Sequence, residues 1–105
     1  MSTATDSATA TLVERLSLKT LVESCLVLED GIATAKDIEI GMMAGAGILP
    51  GPFSRADEQG LDEILASLER ASSEWGPGYA PPKILKRLVA QGRLGKKSGQ
   101  GFYTY

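Results

Sequence analysis

The chain has 105 residues, 43% hydrophobic and 23% charged, the balance of one globular domain with a modest core. It holds no histidine and a single cysteine. That excludes Ser–His and Cys–His nucleophilic pairs, a histidine general base, histidine-ligated metal and an internal disulfide.

No run approaches the ~20 apolar residues of a membrane span. Residues 1–11 lack the basic and apolar regions of a secretory signal. A lone cysteine suits a reducing compartment, so a cytoplasmic location and no membrane contact are expected. The formal net charge is −2, but it is segregated. All 13 acids and five bases lie in residues 1–74, while Lys83, Lys86, Arg87, Arg93, Lys96 and Lys97 form an acid-free C-terminal stretch. Such a stretch either attracts an anionic ligand or folds back on the acidic half.

Residues 1–10, small and polar with no apolar period, read as a disordered tail, so the domain is expected over 11–105. Thr11 and Glu14 form a capping box for a helix from Leu12 to Asp30, which Gly31 stops. Leu18, Leu21, Val22 and Cys25 share one stripe of it, with Leu28, and Leu12, Leu16, Leu26 and Val27 share another. A helix apolar on two sides needs two neighbours, either within this chain or in a second subunit. The first stripe is the candidate dimer interface.

Thr34 and Asp37 open a second, short helix bearing Ile38, Met42 and Met43, with Gly41 and Gly45 on one face. GAGILPGPF, residues 45–53, is a shaped loop. Pro52 suits the first turn of a following short helix, expected from Phe53 to Gln59 and stopped by Gly60. Leu61 to Trp75 is a longer helix with Leu61, Ile64, Leu65, Leu68 and Ala71 inward. WGPGYAPP is a rigid loop, and Pro82 starts a helix to Gln91 that Gly92 stops. The tail is expected to form a turn with short extended arms. No other strand pattern occurs, so the fold class is all-α with about five helices.

Cofactor motifs fail on inspection. Gly45-Ala46-Gly47 follows a helix rather than a strand, and Pro50 stands where a dinucleotide loop needs Gly or Ala. Gly95-Lys96-Lys97-Ser98 lacks the earlier glycine and the Ser/Thr of a P-loop. The basic run has no interleaved aromatics and the chain is acidic overall, which argues against nucleic acid. Cys25 sits among Leu21, Val22 and Leu28, the setting of an inert thiol.

The loop Gly45/Gly47/Gly51-Pro52-Phe53, then Asp57, Gly60-Leu61-Asp62, Pro81-Pro82 and Gly95-Lys96-Lys97-Ser98-Gly99-Gln100-Gly101-Phe102-Tyr103, resembles the C-terminal domain of 3-hydroxyacyl-CoA dehydrogenases. Arg15-Leu16, Glu23 and Glu29-Asp30-Gly31 match the same family's first helix. The resemblance covers residues 12–105 and implies the helical domain that dimerises these enzymes and walls their acyl-CoA cleft. It places Glu14, Gly47, Gly51, Pro52 and Phe53 on the substrate side. Glu14 stands where the family has an asparagine beside the substrate, and a carboxylate cannot donate that amide hydrogen bond.

The family's NAD-binding Rossmann domain and its catalytic His–Glu dyad have no counterpart in these residues. No catalytic residue, metal or cofactor is therefore assigned here, and NAD is expected through a Rossmann-type partner. The implied function is part, or an accessory subunit, of a 3-hydroxyacyl-CoA dehydrogenase. The alternative is a non-catalytic homodimer that binds acyl-CoA or serves as a scaffold. Arg93, Lys96 and Lys97, among glycines with free N–H groups, are the candidate contacts for the CoA phosphates or an acidic partner.

Overall fold

The first helix, α1, runs from Thr3 to Glu29. The computed structural model describes residues 3–105, with side chains from Ala8 onward. Helix thus replaces the expected disordered tail from Thr3 on, and Met1 and Ser2 lie outside the described residues. The stretch 3–11 contains no glycine or proline, so nothing breaks the helix there. With helical backbone on both sides of it, Thr11 does not act as an N-cap.

Four further helices follow: α2 (Ala35–Ala46), α3 (Pro52–Gln59), α4 (Leu61–Trp75) and α5 (Lys83–Ala90), with 3-10 turns at Pro77–Tyr79 and Lys96–Ser98. The architecture is all-α, as the sequence predicts. The Thr34 hydroxyl accepts from the Asp37 N–H at 3.1 Å, the expected cap of α2. Pro52 occupies the first turn of α3, where its missing N–H has no intrahelical role. The C-terminal tail folds as expected into a turn whose arms touch through bridges Gly95–Gln100 and Gln100–Thr104. No helix among the described residues is long and apolar enough to cross a membrane.

The core gathers one face of each long element. Leu18, Leu21, Val22 and Cys25 of α1 meet Phe53 and Ala56 of α3, Leu61, Ile64 and Leu68 of α4, and Leu85 and Leu88 of α5. Phe53, Leu61, Leu68 and Leu85 are fully enclosed. Each contributes about 1.5–3 kcal/mol through burial.

This corrects the expected dimer interface. The stripe Leu18, Leu21, Val22 and Cys25 is consumed by the chain's own core, because α3, α4 and α5 all pack on that side. The opposite stripe is the open one, with Leu12 57%, Leu16 60% and Leu26 41% exposed. Gly41 and Gly45 make no close approach either, since both positions face open space.

Two aromatic contacts tie the ends of the chain to this core. Phe53 packs on Phe102 with ring centroids 4.6 Å apart. Arg15 of α1 donates to the Tyr79 hydroxyl at 3.0 Å, and its guanidinium lies 5.1 Å from the Trp75 ring centroid. The long first helix is thereby fastened to the loop after α4.

Candidate functional site

An open groove of about 1070 Å³ runs beside α1. Val13, Glu14 and Ser17 form one wall, and Gly47, Ile48 and Leu49 of the α2–α3 loop close one end. Pro52, Arg55 and Gln59 of α3, with Ile64, Ser67 and Arg70 of α4, form the other wall. Gly47 makes the loop possible. It ends α2 at φ 68°, a left-handed conformation that side-chain-bearing residues adopt only at a cost.

The groove brings together three of the five residues that the sequence places on the substrate side: Glu14, Gly47 and Pro52. Gly51 and Phe53 do not line it. Gly51 is buried because the Glu39 carboxylate lies where its Cβ would be. Phe53 is 0% exposed and turned into the core. Their glycine and phenylalanine therefore serve the packing of α2 against α3 rather than a ligand.

The three basic tail residues also part company with the anion expectation. The Lys97 ammonium pairs with Asp62 at 2.5 Å, and this hydrogen bond holds the Asp62 carboxyl below its ordinary range. Lys96 sits 5.8 Å from the Tyr105 ring centroid. Arg93 is exposed on the turn after α5. None of the three lines the groove. At Lys97 the basic tail folds back on the acidic half, one of the two readings its charge allows.

Two carboxylates to which the sequence gives no anchoring role, Glu39 and Asp57, organise the scaffold around the groove. Glu39, on α2, is 6% exposed and accepts from the N–H groups of Phe53 and Ser54, so it caps α3 from outside. It also accepts from the Tyr103 hydroxyl at 2.9 Å. Asp57, fully buried, accepts from the N–H groups of Phe102 and Tyr103 and from the Tyr105 hydroxyl. Helical spacing could have found both. Asp57 shares a face with Phe53, Ala56 and Gly60, and Glu39 shares one with Ala35 and Met42.

Cys25 is shielded in the core. Burial, then the nearby Glu29, pushes its thiol up to about 12. It is thus protonated at neutral pH and unreactive.

A five-helix domain with an open lateral groove, built from a Gly-Pro-Phe loop and an anchored Gly-Phe-Tyr tail, is the class these features define. The family model for the 3-hydroxyacyl-CoA dehydrogenase C-terminal domain matches residues 12–105, and the chain belongs to that family. It is 38% identical over 95 residues to 3-hydroxybutyryl-CoA dehydrogenase of Mycobacterium tuberculosis strain H37Rv, covering 90% of this chain and 33% of the relative. It is 40% identical over 97 residues to mouse mitochondrial hydroxyacyl-coenzyme A dehydrogenase, covering 90% and 31%.

Among solved structures, (S)-3-hydroxybutyryl-CoA dehydrogenase PaaH1 of Ralstonia eutropha superposes with a TM-score of 0.82 at 37% identity, covering 87% of this chain and 32% of that one. The chain spans about a third of the length of the relatives it matches.

Proposed function

We propose that this domain is the helical part of a 3-hydroxyacyl-CoA dehydrogenase, with its groove forming the acyl side of the substrate cleft. The observation that carries this reading is the convergence of Glu14, Gly47 and Pro52 on one open space. Two of them, Gly47 and Pro52, belong to the Gly-Pro-Phe loop that the dehydrogenase family shares.

The chain's own residues bind and orient. Val13, Leu49 and Ile64 offer apolar surface to an acyl chain, and Gly47 keeps the loop end of the groove free of a side chain. NAD and the acid–base residues of hydride transfer come from a NAD-binding domain outside these 105 residues, which hold no histidine and, among the described residues, no nucleotide-binding βαβ unit. The exposed stripe Leu12, Leu16 and Leu26, of which Leu16 also borders the groove, is the surface that pairs, with a second copy or with that domain.

The test is titration of the isotope-labelled chain with acetoacetyl-CoA, followed by backbone NMR. Shifts concentrated at Glu14, Gly47–Leu49 and Gln59 support the reading, together with no NADH loss when acetoacetyl-CoA and NADH are added to the chain alone. Shifts confined to another surface, or none at millimolar ligand, overturn it.

A further inference from the structure

The groove mixes apolar side chains such as Val13 and Leu49 with polar ones, and it carries two guanidinium groups, Arg55 on α3 and Arg70 on α4. Both are exposed to it. The ion pairs among the described residues are Lys19–Glu23 and Lys97–Asp62, so neither arginine is matched to a carboxylate. Arg70 makes a long contact of 3.4 Å to the Ser67 hydroxyl, a neutral acceptor on its own helix. Glu14 is the acidic side chain that faces the groove, and it lies on the α1 wall beyond ion-pair distance of both arginines.

An ordinary fatty acyl chain has no use for two cations beside its tail. A planar guanidinium binds a carboxylate through two parallel N–H···O bonds, which add geometric specificity to the charge attraction. The face of α1 that lines the groove, from Ala10 to Leu21, extends about 16 Å at 1.5 Å per residue. There is room for a medium-length chain with a charged far end.

We propose that the groove selects acyl thioesters whose acyl chain ends in a carboxylate, with Arg55 and Arg70 holding that terminal group. This rests on the reading of the groove as the acyl side of the cleft.

The experiment compares suberoyl-CoA with octanoyl-CoA, which share eight carbons and differ in the terminal carboxylate, and includes CoA alone. Calorimetric titrations of the wild-type chain and of Arg55→Gln/Arg70→Gln read the affinities. The expected result is at least tenfold tighter binding of suberoyl-CoA by the wild type. The double variant should lose that preference and bind the two thioesters equally. Equal wild-type binding of the two thioesters overturns the proposal and leaves the acyl-cleft reading standing. Binding of neither overturns both. A matching loss of affinity for CoA alone in the variant also overturns it, since the arginines then serve the nucleotide phosphates. The wild-type comparison decides the matter even if the variant fails to fold.

Discussion

The Glu39 side chain crosses from α2 to accept the Phe53 N–H at 2.9 Å, capping a helix that has no side-chain cap of its own. The residue at the usual capping position is Gly51, which offers no oxygen. Glu29 of α1 treats α5 in the same way, accepting from the Ile84 N–H at 2.7 Å where Pro82 holds the cap position. Two helices are thus started by carboxylates from elsewhere in the chain. Formation of α3 and α5 is thereby coupled to tertiary packing, because neither eight-residue helix is stable alone.

Removing that remote cap should be costly. Glu39→Ala strips the acceptor from two backbone N–H groups and from Tyr103, and should lower unfolding free energy by about 2–4 kcal/mol. Glu39→Gln keeps one carbonyl acceptor and should lose roughly half as much. Urea denaturation followed by circular dichroism measures both. A loss near zero for Glu39→Ala would show that water replaces the carboxylate without penalty.

The sequence reveals the helices whose ends are marked by local chemistry. Gly60 and Trp75-Gly76-Pro77 bracket α4, Pro52 opens α3, and Pro82 and Gly92 bracket α5, so these limits agree with the structure to within a residue or so. The start of α1 was hidden because Thr, Ala and Ser neither break a helix nor demand one. The anchoring roles of Glu39 and Asp57 were hidden because their partners are distant. Phe53 is 14 positions from Glu39, and Tyr103 is 46 from Asp57. The groove was half legible, since its loop side carries a recognisable motif while its arginines sit at ordinary exposed helical positions.

Alkaline pH should unfold the domain through three protons that the fold holds in place, on Cys25, Tyr103 and Tyr105. Burial, reinforced by hydrogen bonds to Glu39 and Asp57, holds the Tyr103 and Tyr105 phenols above their ordinary value of 10.0. Cys25 rises from 9.0 to about 12. A raised folded-state pKa adds stability that is complete below the unfolded value and is lost as pH rises toward the folded value. The melting temperature should therefore hold between pH 7 and about 9 and fall from there to about 12. Cys25→Ala should flatten the start of that fall, and Tyr103→Phe with Tyr105→Phe the remainder. An unchanged slope in all three variants counts against this origin.

Gly51 separates a structural role from a ligand-binding one. Any Cβ there overlaps the Glu39 carboxylate, so Gly51→Ala must displace the cap of α3. We expect a loss of about 1–3 kcal/mol, the usual range for overpacking. In the Glu39→Ala background the same substitution should cost much less, because the obstructing carboxylate is gone. Equal costs in the two backgrounds would remove Glu39 as the reason for the glycine. Gly95 offers a parallel case, since a Cβ there would meet the Asp57 backbone.

The two stripes of α1 should respond in opposite ways to the same change. Leu21 is 3% exposed and in contact with the core, so Leu21→Asp places a charge in an apolar interior and should cost at least ~3 kcal/mol. Leu16 is 60% exposed, so Leu16→Asp removes no internal packing and should shift the melting temperature of the isolated domain by little. If the exposed stripe is the pairing surface, Leu16→Asp instead weakens self-association, which sedimentation equilibrium reads as a shift toward monomer at the same concentration. Leu26→Asp, 41% exposed near the other end of the helix, tests how far that surface extends. Wild-type protein that is already monomeric throughout the micromolar range would rule out pairing with a second copy. The stripe would then be left as the surface for a NAD-binding domain, and Leu16→Asp should diminish capture of such a domain while the circular dichroism of the helices stays unchanged.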